Sequence, residues 1–141
     1  MTLDRALLAE KAAALERHLA RVTERLPADP DELRPGSDTA DVVVLNLWQA
    51  VQIVIDVALA ACLALKLGTP STYRESFGRL AEAGVLEADL AERLQRAAGF
   101  RNVVVHAYGS LDMTRIHAAA RSGPPDLRAC LARLRDHAAR G

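Results

Sequence analysis

Leu8, Ala12, Leu15, Leu19, Val22 and Leu26 follow one another at spacings of four and three, the repeat of a helix with one buried stripe. The stripe predicts a first helix from about Thr2 to Leu26. Pro27, Pro30 and Pro35 then interrupt it and make 27–37 a loop. A second apolar run begins near Asp38, with Asp38 or Asp41 placed to cap it, and continues to about Leu67 before Gly68-Thr69-Pro70 stops it. Tyr73, Phe77 and Leu80 mark one side of a short third helix ending at Gly84. The fourth helix, over about 87–108, turns Leu90, Leu94 and Ala97 inward, and the same register passes through Arg101, Val105 and Tyr108 to a stop at Gly109. Ser110 or Asp112 can cap a short fifth helix through Ala120, which Ser122-Gly123-Pro124-Pro125 ends. A last helix, capped by Asp126, carries Leu127, Leu131, Leu134 and Ala138. The pattern predicts an all-α fold. Its form is an up-and-down antiparallel helical bundle of four main helices plus short extra ones, in a single domain over 1–141.

The second helix is ambiguous by length alone, because VVVLNLWQAVQIVIDVALAACLAL (42–65) is long enough to span a bilayer. Its polar residues argue for a protein interior instead. Asn46, Gln49, Gln52 and Asp56 fall within about 120° of each other on a straight helix, and an ionisable Asp at mid-span is costly in lipid. This predicts a central bundle helix with one polar stripe, which faces a cavity or partner, or simply meets solvent.

Composition narrows the class. The 141 residues are enough for one domain with a real core. Half are apolar but only 4% aromatic, a mixture rich in Ala and Leu that favours helix over strand. Lys+Arg and Asp+Glu balance at 18 each, so no global basic field advertises nucleic acid, and any such contact needs a local patch. Lys11 and Lys66 are the only lysines; the other basic residues are Arg, the better planar clamp for phosphate. Cys62 and Cys130 sit apart in apolar helical contexts, without metal-ligand spacing, and read as free thiols of a reducing compartment. The first residues, MTLDRALLAEKAAALERHL, carry acids and lack an unbroken apolar core, unlike a signal peptide. A cytoplasmic protein is the expectation.

The candidate chemistry lies in GFRNVVVHAYGS (99–110). Arg101 and Tyr108 are about 20° from eclipsed on the stripe that Leu90 and Leu94 put indoors, while Asn102 and His106 share a neighbouring face. Arg101 and His106 are about 140° apart on a straight helix, so they do not meet directly unless the helix loosens, the Arg reaches round or a second subunit contributes. Gly99 costs about 1 kcal/mol against Ala and leaves room for a distortion or close packing. An unpaired buried guanidinium is strongly destabilising, so Arg101 either pairs, with Asp56 as candidate, or lines a wet cleft. One reading is structural: Arg101 bridges to an acid at an interface and His106 is a satisfied core histidine. The other is catalytic. A His titrates near neutrality and moves protons, and an Arg holds phosphate and stabilises growing negative charge. Such a pair suits RNA cleavage by the 2′-hydroxyl, a group DNA lacks. No convergent acidic cluster or Gly-Ser turn followed by Asp-x-Asp is present, since Asp29-Pro30-Asp31 precedes Gly36-Ser37. Catalytic metal binding and a nucleotidyltransferase activity of the chain itself are therefore not expected. His18 and His137 read as exposed helix residues, His117 shares no ligand spacing with the motif, and Trp48 reads as core or interface packing.

Arg101-Asn102-Val103-Val104-Val105-His106-Ala107-Tyr108 matches the R-x4-H-x-Y motif of HEPN-domain proteins, and the chain resembles the HepT-type toxins among them. TYRESFGRLAEAGVL (72–86), LAERLQRAAGFRNVVVHAYGSLD (90–112) and LWQAVQIVIDVALA (47–60) extend the likeness over roughly residues 5–135. The resemblance implies a HEPN-like bundle and a metal-independent endoribonuclease, without cofactor, that acts as the toxin of a toxin–antitoxin pair. It implies a homodimer whose two motifs face one cleft, with Arg101 as phosphate clamp, His106 as proton-transfer residue and Asn102 in support. It further implies that Tyr108 receives AMP from a partner antitoxin, a minimal (MNT-domain) nucleotidyltransferase, which would fill the cleft with negative charge and bulk. RNA is the implied substrate, with neither DNA nor membrane as partner. The alternative function within the resemblance is a non-catalytic nucleotide- or substrate-binding helper of a nucleotidyltransferase.

Overall fold

The computed structural model describes residues 3–140, and the expected helix start at Thr2 lies outside that range. Five α-helices follow in order: α1 (Arg5–Arg25), α2 (Asp38–Ala64), α3 (Tyr73–Glu82), α4 (Ala88–Ala107) and α5 (Met113–Arg140). Single 3₁₀ turns stand at Pro30–Glu32 and Tyr108–Ser110. No strand occurs among the described residues, and the fold is all-α as the apolar spacing predicts.

Local chemistry sets the boundaries. The Asp4 carboxylate accepts from the amides of Ala6 and Leu7 and caps α1. The cap of α2 is Ser37, whose hydroxyl accepts from Ala40 N, and not Asp38 or Asp41. Those acids fall in the first turn, where the helix dipole favours negative charge. α2 stops at Ala64, slightly before Leu67. Lys66 takes a left-handed φ of 59°, which lets Leu67 N reach back to Cys62 O at 2.8 Å and close the helix end. α3 gives way to Gly84 at φ 77°, as the sequence suggests. Gly109, by contrast, is not left-handed; α4 tightens into the 3₁₀ turn that contains it.

The largest departure is α5. Ser122-Gly123-Pro124-Pro125 does not end a helix, and the two expected helices are one of 28 residues with both prolines inside it. An interior proline costs about 3 kcal/mol or more through its lost N–H and its clash with the preceding turn. The offset lies in the buried face. Ile116, Ala120, Pro124, Leu127, Leu131 and Leu134 keep helical spacing across the prolines, so breaking the helix would take half of that stripe out of the core. Asp126 consequently caps nothing and accepts from Arg93 Nε at 3.0 Å. Asp112 does cap α5, accepting from Thr114 N at 3.0 Å.

Two apolar clusters fill the bundle. The larger joins all five helices and includes Leu15, Leu19, Ile55, Phe77, Leu80, Leu94 and Leu134. The smaller sits under the end of α4 and gathers Val22, Leu33, Val43, Leu47, Val104 and Ile116. α2 is long and apolar enough to cross a membrane, but 56% of its most apolar stretch is buried inside the bundle, largely in these clusters. Cys62 and Cys130 are free and buried, and desolvation pushes the Cys130 thiol up to about 12. His18 is half-buried rather than exposed, its Nδ1 2.9 Å from Asn46 Oδ1 on α2. His117 is buried with Nε2 2.7 Å from Pro27 O, tying α5 to the loop after α1.

Candidate active site

Arg101, Asn102, His106 and Tyr108 all lie at the C-terminal end of α4 or in the turn after it, and this end is not the buried segment its sequence register suggests. The buried face of α4 runs through Leu90, Ala91, Leu94, Ala98 and Val104. Val103 and Val105 are 53% and 48% exposed, and Tyr108 is 49% exposed. The reason is geometric: the inward line drifts from Leu94 through Ala98 to Val104 rather than through Ala97, Arg101 and Val105. His106 is exposed and, among the described residues, makes no side-chain hydrogen bond, so it is not a satisfied core histidine. Asn102 is exposed beside it.

Two cross-links fasten this end of α4 to α2. Arg101 Nε donates to Gln52 Oε1 at 2.8 Å, and Tyr108 Oη donates to Asp41 Oδ1 at 2.7 Å. The later residue, Tyr108 in the turn that continues α4, meets the earlier α2 residue, so the two helices run antiparallel. The Asp41 hydrogen bond raises the Tyr108 phenol above its ordinary value, and burial and the Asp41 charge act in the same direction, so the hydroxyl stays protonated. A hollow of about 130 Å³ adjoins Tyr108, lined also by Pro35, Gly36, Asp41, Val44, Leu111 and Met113.

Arg101 is half-buried and is not paired with Asp56, which removes one of the two settings the sequence allowed. Gln52 stands between them: its Nε2 donates to Asp56 Oδ1 at 2.8 Å while its oxygen accepts from Arg101. The polar stripe of α2 thus divides. Asn46 turns to α1, Gln52 to α4, and Asp56 stays exposed. Arg101 Nη1 also donates to Asn102 Oδ1 at 3.2 Å, and its guanidinium carbon lies 5.8 Å from the Trp48 ring centroid and 5.2 Å from that of Tyr73. Of five guanidinium N–H groups, both on Nη2 and one on Nη1 are left over. A half-exposed cation with spare planar donors can grip a phosphodiester, and an exposed imidazole, here five positions further along the chain, can move a proton. Among the described residues no group of three or more His, Cys, Asp and Glu comes together.

A family model described as "Ribonuclease HepT-like" matches residues 15–134. The chain belongs to the HepT-like ribonuclease family. An mRNA nuclease HepT from Shewanella oneidensis is 28% identical to it over 107 residues, 76% of this chain and 80% of that one. A Shewanella oneidensis HEPN toxin, solved tri-AMPylated and in complex with an MNT antitoxin, superposes with a TM-score of 0.82 at 24% identity, over 92% of this chain and 97% of the other. YutE, a cytosolic protein of unknown function from Bacillus subtilis, superposes with a TM-score of 0.81 at 14% identity, over 97% of this chain and 92% of its own. The HEPN bundle is therefore the fold of this HepT-like chain.

Gln52, Trp48 and Tyr73 are the neighbours of Arg101 that sequence reasoning did not assign to the site. Gln52 and Asp56 carried a signal, four residues apart on the polar stripe. Tyr73 carried none, because only the packing of α3 brings it to Arg101.

Proposed function

We propose that this HepT-like chain is a metal-independent endoribonuclease toxin that works as a symmetric homodimer and is silenced by AMP transfer to Tyr108 from a nucleotidyltransferase antitoxin. One observation carries the reading: an arginine without a carboxylate partner, an unengaged histidine and a tyrosine hydroxyl occupy one open end of α4. Within one chain Arg101 turns towards α2 while His106 faces outward. A second copy across the exposed Val103 and Val105 supplies what one copy lacks, a facing wall and a second pair of groups.

In the reaction His106 removes the proton of the RNA 2′-hydroxyl. The freed oxygen attacks the adjacent phosphorus, the bond from phosphorus to the 5′-oxygen breaks, and a proton from an imidazolium goes to that leaving oxygen. The products are a 2′,3′-cyclic phosphate and a 5′-hydroxyl. Arg101 binds the non-bridging oxygens and stabilises the charge that gathers on them, with Asn102 holding its Nη1. AMP on Tyr108 Oη removes the donor that Asp41 accepts and places a phosphate beside the site, where it competes with RNA for Arg101.

The test is purified protein with single-stranded RNA in excess EDTA. Cleavage that survives chelation, leaves cyclic phosphate ends and falls at least about hundredfold in both Arg101→Ala and His106→Ala is expected. Undiminished cleavage by His106→Ala overturns the mechanism. ATP, Mg²⁺ and an antitoxin nucleotidyltransferase should add the mass of AMP to wild type and not to Tyr108→Phe.

A further inference from the structure

Arg79 and Arg101 show two ways to hold a guanidinium. Arg79 uses Nε and Nη2 on the Glu75 carboxylate and Nη1 on Leu67 O at 2.6 Å, so its charge is neutralised within the fold. The Ser71 hydroxyl and amide, together with Arg79, hold Glu75 down at about 2, which keeps that carboxylate charged. Arg101 is held just as definitely but by neutral groups: the Gln52 amide oxygen, the Asn102 amide oxygen and two aromatic rings. A ring attracts a cation through its quadrupole and leaves the net charge intact.

The neutrality is arranged. Asp56, one turn along α2, engages the amide nitrogen of Gln52, which turns the amide oxygen towards Arg101 and sets the carboxylate one side chain away. Trp48 points the same way. Its Nε1–H is buried with no acceptor, an arrangement that costs stability, so the indole is not placed here for its hydrogen bond. Its ring face lies against Arg101 instead.

We propose that Gln52, oriented by Asp56, and the rings of Trp48 and Tyr73 are positioning residues that fix the Arg101 guanidinium without neutralising it, so that its spare N–H groups meet an RNA phosphate with full charge. The assignment rests on the nuclease reading above and adds to it which residues set the strength of the phosphate grip.

The discriminating variant is Gln52→Glu made together with Asp56→Asn. It gives Arg101 a carboxylate to pair with and leaves an amide at 56 to donate to that carboxylate, so that no two carboxylates are placed in contact. The probe is a single-stranded RNA methylated at every 2′-oxygen, which binds but cannot be cut, followed by fluorescence anisotropy across a sodium chloride series. A purely structural link would be strengthened by this change. The positioning role predicts the reverse for RNA: a melting temperature equal to wild type or higher, affinity about tenfold weaker from one lost charge-assisted contact, and a salt dependence shallower by about 0.7, the share of one phosphate on a single strand. On cleavable RNA, Trp48→Leu lowers kcat/KM and Trp48→Phe, which keeps a ring, restores it. Wild type that cuts RNA while Gln52→Glu with Asp56→Asn keeps its affinity and salt slope overturns the positioning role alone. Wild type that neither binds nor cuts overturns it together with the nuclease reading. If Trp48→Leu fails to fold, the series with Gln52→Glu and Asp56→Asn decides.

Discussion

The two halves of α4 carry nearly the same apolar spacing and end in opposite surroundings. Between Ala88 and Ala98, Leu90, Ala91, Leu94 and Ala98 are sealed inside the larger core with α2, α3 and α5. From Gly99 onward only Val104 is buried, against the smaller cluster, while Val103 and Val105 stand about half exposed beside His106. A helical period reports that one face prefers to leave water; it does not report which molecule covers that face. In the first half the cover is the chain's own bundle. In the second, Asn102, His106 and Tyr108, to which the proposed chemistry is assigned, are left at the surface, where a substrate or a second copy can reach them.

The largest expected effect breaks the first half. Leu94 is fully buried, so Leu94→Ala should lower unfolding free energy by about 2–5 kcal/mol through lost transfer energy and a residual cavity. Urea unfolding gives that number. RNA cleavage per folded molecule should stay at the wild-type level, because Leu94 belongs to the larger core cluster and none of Arg101, Asn102, His106 and Tyr108 does. Cleavage that falls further than the folded fraction would mean the two halves are coupled more tightly than the packing suggests.

The second effect falls on the other half and on association rather than folding. Val103→Asn combined with Val105→Asn should change the stability of one chain by no more than about 0.5 kcal/mol, as expected of surface positions. If these valines cover each other in a homodimer, each loses the burial of its exposed half, worth about 1 kcal/mol. The symmetric interface counts every loss twice. The dimer dissociation constant should then rise at least about hundredfold, and sedimentation equilibrium should show single chains where the wild type sediments as dimers. Cleavage should vanish in step with the dimer. A double variant that associates normally places the interface elsewhere.

How much of this was legible follows the same division. Helix positions, the buried stripe of α1 and the membership of the bundle class rest on local spacing and short-range chemistry, and they are readable. The exposure of His106 is not, because it depends on which neighbour covers the last two turns of α4. The prolines of α5 misled for a related reason. Their local cost is real, but a stripe from Ile116 to Leu134 outweighs it, and that gain exists only once the rest of the bundle is assembled. The setting of Arg101 was half legible. Asp56 and Gln52 were on the polar stripe, yet the sequence offered only a direct ion pair with the acid or a wet cleft, whereas the structure interposes the amide. Tyr73, on another helix, had no local mark at all.

Gly99 marks the junction of the two halves, and replacing it has the smallest effect and the sharpest use. Its backbone is not left-handed and a Cβ there would meet nothing within 4 Å, so neither a turn nor a close approach requires glycine. Gly99→Ala should therefore stabilise the protein by about 0.4–1 kcal/mol, through better helix propensity and a less flexible unfolded chain. Cleavage separates two explanations for the glycine. Unchanged turnover in a more stable variant means the motif end works as the rigid continuation of α4. A loss of turnover despite the gain in stability means that the motif end must bend at this residue to bring Arg101 and His106 to one phosphate. The roughly 140° between them on a straight helix would then be closed by a hinge within one chain instead of by a second copy.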